Sequence, residues 1–131
     1  MYLVDTNIWL EVLLEQDKEH EAHRFLSKID SSLLNITDFS LFSIGIILSR
    51  LDEPNVLKKF YKDVIYESKV NIIRLNPDQL LKLSEVSSNF GLDFDDSYQY
   101  LASKEYGLKL ISFDDDFDET DLERYTPEDI S

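Results

Sequence analysis

No cysteine occurs anywhere in the chain, which excludes a disulfide framework and thiolate metal ligands and agrees with a reducing compartment. Histidine is almost as scarce. His20 and His23 are the only two, so a nucleophilic triad has little to be built from, and at helical spacing the pair reads as part of a solvated amphipathic helix. Long apolar runs are also missing: the N-terminus lacks a basic stretch, and Asp5, Asn7 and Glu11 interrupt its apolar residues. Neither a signal peptide nor a membrane span is expected, and a cytoplasmic location follows by default. Basic residues are in short supply, 13 Lys and Arg against 27 Asp and Glu, for a formal net charge of −14. That balance opposes non-specific nucleic-acid binding through a broad basic face. The densest basic cluster, Lys58, Lys59 and Lys62, reads as a solvated helix face.

There is no internal repeat, no low-complexity segment and no linker long enough to separate two domains, so residues 1–131 are read as one domain. With 43% hydrophobic and 12% aromatic residues, a chain of this size can bury a real core. Short apolar runs alternate with longer helical patterns, which predicts an α/β fold. Strands are expected at Tyr2 to Val4, Leu33 to Ile36, Val70 to Ile73 and Lys109 to Ile111, with a weaker one at Leu122 to Tyr125. Helical spacing begins at Ile8 and again at Ala22, Phe25, Leu26 and Ile29. Two more helices are expected over Phe39 to Leu51 and Val56 to Ile65, divided at Pro54. Asn76-Pro77 has the form of an N-cap with proline at the first helical position, starting a helix that Gly91 ends; Asp93 then caps another that Gly107 closes. Trp9, Phe39, Phe42 and Tyr98, at helical spacings beside Leu and Ile, are expected in the core rather than on a base-stacking platform.

Right-handed crossovers in such a chain bring the strand C-termini to a common edge, where open α/β sheets bind ligands. Aspartates sit at several of these ends. Asp5 follows Tyr2-Leu3-Val4, Asp96 opens the helix of Tyr98, Leu101 and Ala102, and Asp114 and Asp116 follow Leu110-Ile111. An acid at the end of a buried strand is costly to desolvate unless it is paired or bound to a cation. Taken singly, each of these aspartates also suits a helix cap or a turn. Together Asp5, Asp96 and Asp114, with Asp116 beside them, suggest a divalent-metal site. Mg²⁺ and similar hard ions take oxygen ligands, and they can activate water, neutralise a scissile phosphate and stabilise the leaving oxygen.

The segments Asp5-Thr6-Asn7, Leu92-Asp93-Phe94-Asp95-Asp96-Ser97 and Leu110-Ile111-Ser112-Phe113-Asp114-Asp115-Asp116-Phe117 together resemble the PIN domain, familiar as the toxin subunit of VapC-like toxin-antitoxin pairs. The resemblance spans nearly the whole chain. It implies a three-layer α/β/α sandwich with a central, mainly parallel β-sheet, and a metal-dependent endoribonuclease using Mg²⁺ or Mn²⁺. By this match Asp5, Asp96 and Asp114 are catalytic metal ligands, Asp116 is a further acid, and Thr6, Asn7 and Ser112 are polar supports. RNA is the implied substrate, a small antitoxin protein the implied partner, and a homodimer the implied assembly.

One departure stands out: the family pattern has a glutamate in the helix after the second strand, and Ile36-Thr37-Asp38-Phe39-Ser40-Leu41-Phe42-Ser43 aligns Ser43 there. Asp38 lies five residues earlier and is kept as an N-cap or a replacement ligand. The alternative that follows from Ser43 is a catalytically degenerate PIN-like module that binds RNA or protein. Other motifs fail. Asp114, Asp116 and Asp118 begin like a calcium loop, but Glu119 stands at its glycine position and Tyr125 at its terminal glutamate. A phosphatase-like Asp-x-Asp pattern would need an acid at Asn7.

Overall fold

The chain starts in the middle of its sheet. In a computed structural model describing residues 1–130, β1 (Tyr2–Val4) pairs in parallel with β2 (Leu34–Thr37) on one side and β4 (Lys109–Ile111) on the other. β3 (Asn71–Ile73) and β5 (Arg124–Tyr125) extend the two edges in parallel, giving the order β3-β2-β1-β4-β5. After β3 the chain returns past β1 to lay down β4. The boundary between β1 and β4 is therefore a topological switch point, with a crevice at the strands' carboxyl ends.

The central strands are buried on both faces, as apolar runs in a parallel sheet should be. Successive side chains point to opposite sides, and this sorts the core in two. Val4, Ile36 and Ile111 pack with Ile8 and Trp9 of α1 (Thr6–Leu13), Phe25 of α2 (Glu19–Lys28), Ile44 of α3 (Asp38–Arg50) and Phe60 of α4 (Pro54–Phe60). Leu3 and Leu110 pack instead with Val86 of α6 (Leu83–Phe90) and with Tyr98 and Leu101 of α7 (Phe94–Tyr106). The result is the expected three-layer sandwich. Its sheet is parallel throughout, and Phe117, in the 3₁₀ turn after β4, completes the second cluster.

Several boundaries move for local reasons. Leu33 belongs to a 3₁₀ turn capped by Asp30, so β2 begins one residue later and runs through Thr37. The helix expected from Asn76 to Gly91 is two helices. Asn76 and Gln79 form the reciprocal capping box of α5 (Pro77–Leu80), but the Lys82 N–H bonds three residues back to Gln79 at 3.0 Å, tightening the coil before α6 starts. α4 runs on into a π-helical turn, Tyr61–Tyr66. Gly91 and Gly107 end α6 and α7 at φ of 68° and 63°, a left-handed conformation that glycine adopts without a Cβ penalty.

Trp9 and Tyr98 are buried, but Phe42 is 66% exposed and is not core. It lies on the outer side of α3, two residues before buried Ile44 and off the apolar stripe of Ile44 and Leu48. His20 and His23 are solvent-exposed on α2. In the basic cluster Lys59 pairs with Asp63 at 3.2 Å and Lys62 with Glu67 at 3.8 Å, both exposed. Among the described residues no helix is long and apolar enough to cross a membrane.

Candidate metal centre

Asp5 is the first residue beyond β1, and its N–H continues the sheet to the Ile111 carbonyl at 2.9 Å. Its carboxylate caps α1 through the Thr6 N–H at 2.8 Å. It is only 6% exposed; nearby Asn7 Nδ2 donates to Oδ2 at 3.4 Å, and two shorter hydrogen bonds come from distant parts of the chain. Gln99 Nε2 donates to Oδ1 at 2.9 Å and the Ser112 hydroxyl donates to Oδ2 at 2.6 Å. Burial raises the Asp5 pKa, these donors oppose the shift, and Asp114 adds to it.

Ser112 closes a second ring of contacts. Its oxygen accepts from Asn7 Nδ2 at 3.1 Å and from the Asp114 N–H at 3.0 Å, while Asn7 Oδ1 accepts from the Phe113 N–H at 3.1 Å. The ends of β1 and β4 are thus tied to each other through side chains. Thr6 pairs its hydroxyl with Ser40 of α3 at 2.7 Å. Asp114 caps the following 3₁₀ turn through the Asp116 N–H at 2.9 Å, which carries Asp116 back toward the crevice.

Asp96 has a different position from the one a cap would need. Asp93 is the N-cap of α7 and accepts from the Asp96 N–H at 2.9 Å, so Asp96 sits in the first turn with its carboxylate free of that duty. It is 8% exposed. Burial first, then the charges of Asp114 and Asp93, push its pKa up to about 8. Oxygens of Asp96, Asp114 and Asp116 can lie within 4.8 Å of one another. None of the ion pairs among the described residues involves Asp5, Asp96, Asp114 or Asp116. Arg124 is spent on Asp118, at 2.9 Å, and on the Ser112 carbonyl. Asp5 and Asp96 are buried, Asp114 is half-buried and Asp116 is open to solvent; clustered so, and in no ion pair among the described residues, these acids fit a hard divalent ion that keeps some of its water.

Asp5 stands outside that three-oxygen group, although it lines the same cleft of about 210 Å³ with Asp96 and Asp114. Asp116 belongs to the three-oxygen group but is solvent-exposed and does not line the cleft. Ser43 lines this cleft from α3 with Phe39 and Ile47, four residues on either side. Asp38 does not line it. Its Oδ1 accepts from the Phe39 N–H at 2.8 Å and from the Tyr98 hydroxyl at 2.7 Å, so it fixes α3 to α7 instead of replacing the missing acid.

Sequence reasoning missed Gln99. This residue is 1% exposed and sits three positions beyond Asp96 on the same side of α7. Its Nε2 also donates to Ser40 at 3.0 Å, and its Oε1 accepts from the Thr37 hydroxyl at 2.8 Å. A long polar residue inside a buried helix turn beside an acid was the available signal. Gln99→Leu is expected to weaken Mn²⁺ binding about 10–100-fold, as loss of an outer-shell partner does. Calorimetry is the check, and unchanged affinity in a folded variant would show that Asp5 does not depend on this amide.

The fold has counterparts among known proteins. The PIN domain profile matches residues 2–123. Ribonuclease VapC1 of Aquifex aeolicus (strain VF5) is 30% identical over 138 residues, covering 97% of this chain and 90% of that protein. Among solved structures, Mycobacterium tuberculosis VapC20, described as a sarcin-ricin loop cleaving toxin, superposes with a TM-score of 0.80 at 15% identity, over 94% of this chain and 97% of its own. A toxin-antitoxin complex from Klebsiella pneumoniae gives 0.77 at 17% identity, over 97% and 98%. At these identities the structural likeness speaks for the fold.

Proposed function

The chain belongs to the PIN domain family, and we propose that it is a metal-dependent endoribonuclease acting as the toxin of a toxin-antitoxin pair. The observation that carries this reading is the convergence, with no paired cation among the described residues, of buried Asp96, half-buried Asp114 and exposed Asp116 at the switch point, with Asp5 lining the cleft beside Asp96 and Asp114. These four acids would hold the ion, taken here as Mg²⁺ or Mn²⁺. A bound divalent ion supplies charge neutralisation at a scissile phosphate and activation of water. The protein's own part is orientation. Gln99, Ser112 and the Thr6 N–H fix both Asp5 oxygens, and Ser112 also holds the backbone that presents Asp114. The domain is taken as residues 1–131 and the location as cytoplasmic, where an RNA substrate would be met.

The relatives support the partner side of this reading. An apolar groove of about 510 Å³ runs beside Trp9, Val12, Leu13, Leu26, Val56 and Phe60, away from the acids, and the buried Trp9 indole N–H has no acceptor within the described residues. We assign this groove to the antitoxin protein, and a homodimer is also part of the reading. The test of activity is cleavage of a mixed RNA pool with Mn²⁺. It should proceed in the parent, stop in EDTA and be lost in Asp114→Asn; cleavage that survives both would remove the acids from the chemistry.

Ser43 favours a second reading, a module that binds RNA without efficient cleavage, because the cleft has a hydroxyl where the family pattern has a carboxylate. Ser43→Glu restores an anionic oxygen, and it should tighten Mn²⁺ binding by up to about tenfold, or about 1.4 kcal/mol, and raise cleavage. If the folded variant does neither, residue 43 does not occupy the ligand position.

A further inference from the structure

The cleft has a difficulty as an RNA site: its lining contains Asp5, Asp95, Asp96 and Asp114 and not one lysine or arginine among the described residues. A phosphodiester chain approaching it meets repulsion everywhere except at a bound cation. Proteins that hold single strands ordinarily combine a basic groove with aromatic rings on which bases stack. Here the first element is missing from the cleft, and the second stands at its rim. Phe94 is the first residue of α7, between the Asp93 cap and Asp95, and is 57% exposed. Its ring packs edge-on against Phe39, centroid to centroid 5.7 Å at 72°, and Phe39 lines the cleft. Tyr98 supports both rings, 6.0 Å from Phe94 and 5.6 Å from Phe39.

Tyr98 is itself immobilised. Its hydroxyl donates to Asp38 at 2.7 Å and accepts from the Leu75 N–H at 3.1 Å. Phe94 is therefore a large apolar ring held from behind by a fixed aromatic pair, more than half open to water, two residues from Asp96.

We propose that Phe94 is a positioning residue that stacks on a nucleobase of single-stranded RNA beside the scissile phosphate. This rests on the ribonuclease reading of the acid cleft. Every base has a π-face, so such a contact tolerates sequence and supplies the grip that the missing basic residues do not. It also fits the apolar wall of α3, where Phe39 and Ile47 flank Ser43 in the cleft.

The experiment compares the parent with Phe94→Ala, Phe94→Tyr and Phe94→Trp. Cleavage kinetics on a single-stranded RNA with Mn²⁺ are measured together with anisotropy binding of a short 2′-O-methyl oligonucleotide whose integrity under the assay conditions is checked by gel. Phe94→Ala should raise both KM and the oligonucleotide Kd about tenfold or more, with a smaller change in kcat and an unchanged Mn²⁺ affinity. Tyr and Trp should restore binding, which a merely structural loss would not allow. If the parent cleaves RNA and Phe94→Ala has the parent's KM, stacking is overturned while the nuclease reading stands. Stacking is overturned too if Phe94→Ala changes only the oligomeric state in sedimentation, which would give the ring to an interface between copies. If the parent binds the oligonucleotide through Phe94 but does not cleave, stacking stands and catalysis falls. A parent that neither binds nor cleaves single-stranded RNA overturns both.

Discussion

In EDTA at pH 8, Asp96→Asn is expected to melt higher than the parent, and in Mn²⁺ to have lost its cleavage. Both effects come from one carboxylate. Asp96 is buried beside Asp93 and Asp114, and its pKa is pushed up to about 8 from the usual 3.8. An unfolded chain at pH 8 holds that acid ionised in water, whereas folding must either protonate it or accept its charge beside the others. Asparagine removes that requirement. Relief of this repulsion is worth about 1 kcal/mol or more, roughly 3–6 °C in Tm for a chain of this length. Its backbone consequences are small, because Asp93 and not Asp96 caps α7.

Activity moves the other way. The variant loses a ligand oxygen and an anionic charge, so cleavage should fall by more than the roughly 10–100-fold that outer-shell partners cost. Added Mn²⁺ should also stabilise it less than it stabilises the parent, since the stabilisation a ligand gives grows with its affinity. Melting curves with and without EDTA decide the matter: an Asp96→Asn protein no more stable than the parent, with an equal response to Mn²⁺, would place Asp96 outside the site.

The cap-or-ligand ambiguity shows why part of this site was legible in the sequence and part was not. Asp5 and Asp114 do both jobs, since each caps the turn after its strand and also lines the cleft. Their strand-end positions were readable from Tyr2-Leu3-Val4 and Leu110-Ile111 because those runs are apolar, short and alternate with longer helical patterns, as buried parallel strands do. Asp93 and Asp96 divide the same two tasks, Asp93 capping α7 as its place before the helical pattern predicts and Asp96 lining the cleft from the first turn. The Gln99 network was hidden for a related reason. It joins residues 37, 40 and 99 to Asp5, and no local pattern connects positions separated by 94 residues. Phe42 misled because its neighbours Phe39 and Leu41 do pack inward, at least in part, and periodicity alone could not fix which edge of the apolar stripe it occupied. The break of the helix after Leu80 left no glycine or proline to mark it.

The metal-free protein should lose stability steadily as pH rises from 5 to 8. The sign follows from proton counting. Asp96 keeps its proton in the folded state up to about pH 8 but gives it up near 3.8 when unfolded, so between those values the folded state holds the extra proton. Each such proton weakens the fold by about 1.4 kcal/mol per pH unit as pH rises. Well below the unfolded pKa both states are protonated and the slope from this residue vanishes, as it does above the folded pKa, where both are ionised. Asp5, raised by burial, and Asp95, raised by burial and by Asp93, act in the same direction. The opposing group is Asp118, Asp121, Asp30 and Asp129, whose pKa values are lowered by Arg124, Tyr100, Ser32 and Thr126 respectively. Their contribution is present above the ordinary carboxylate pKa and is lost only as pH falls through the lowered values, so it leaves the interval from 5 to 8 untouched.

Urea unfolding in EDTA at pH 5, 6.5 and 8 should therefore show stability declining in the parent and much flatter in Asp96→Asn. A divalent ion reverses the preference, because it binds the ionised acids. Mn²⁺ affinity should rise over the same interval, and below pH 8 its binding should expel protons, detectable as a heat that depends on the ionisation enthalpy of the buffer. A metal-free parent whose stability is level or rising from pH 5 to 8 would mean that the acids do not converge as Asp96, Asp114 and Asp116 do in this fold, and the case for a cation between them would go with it.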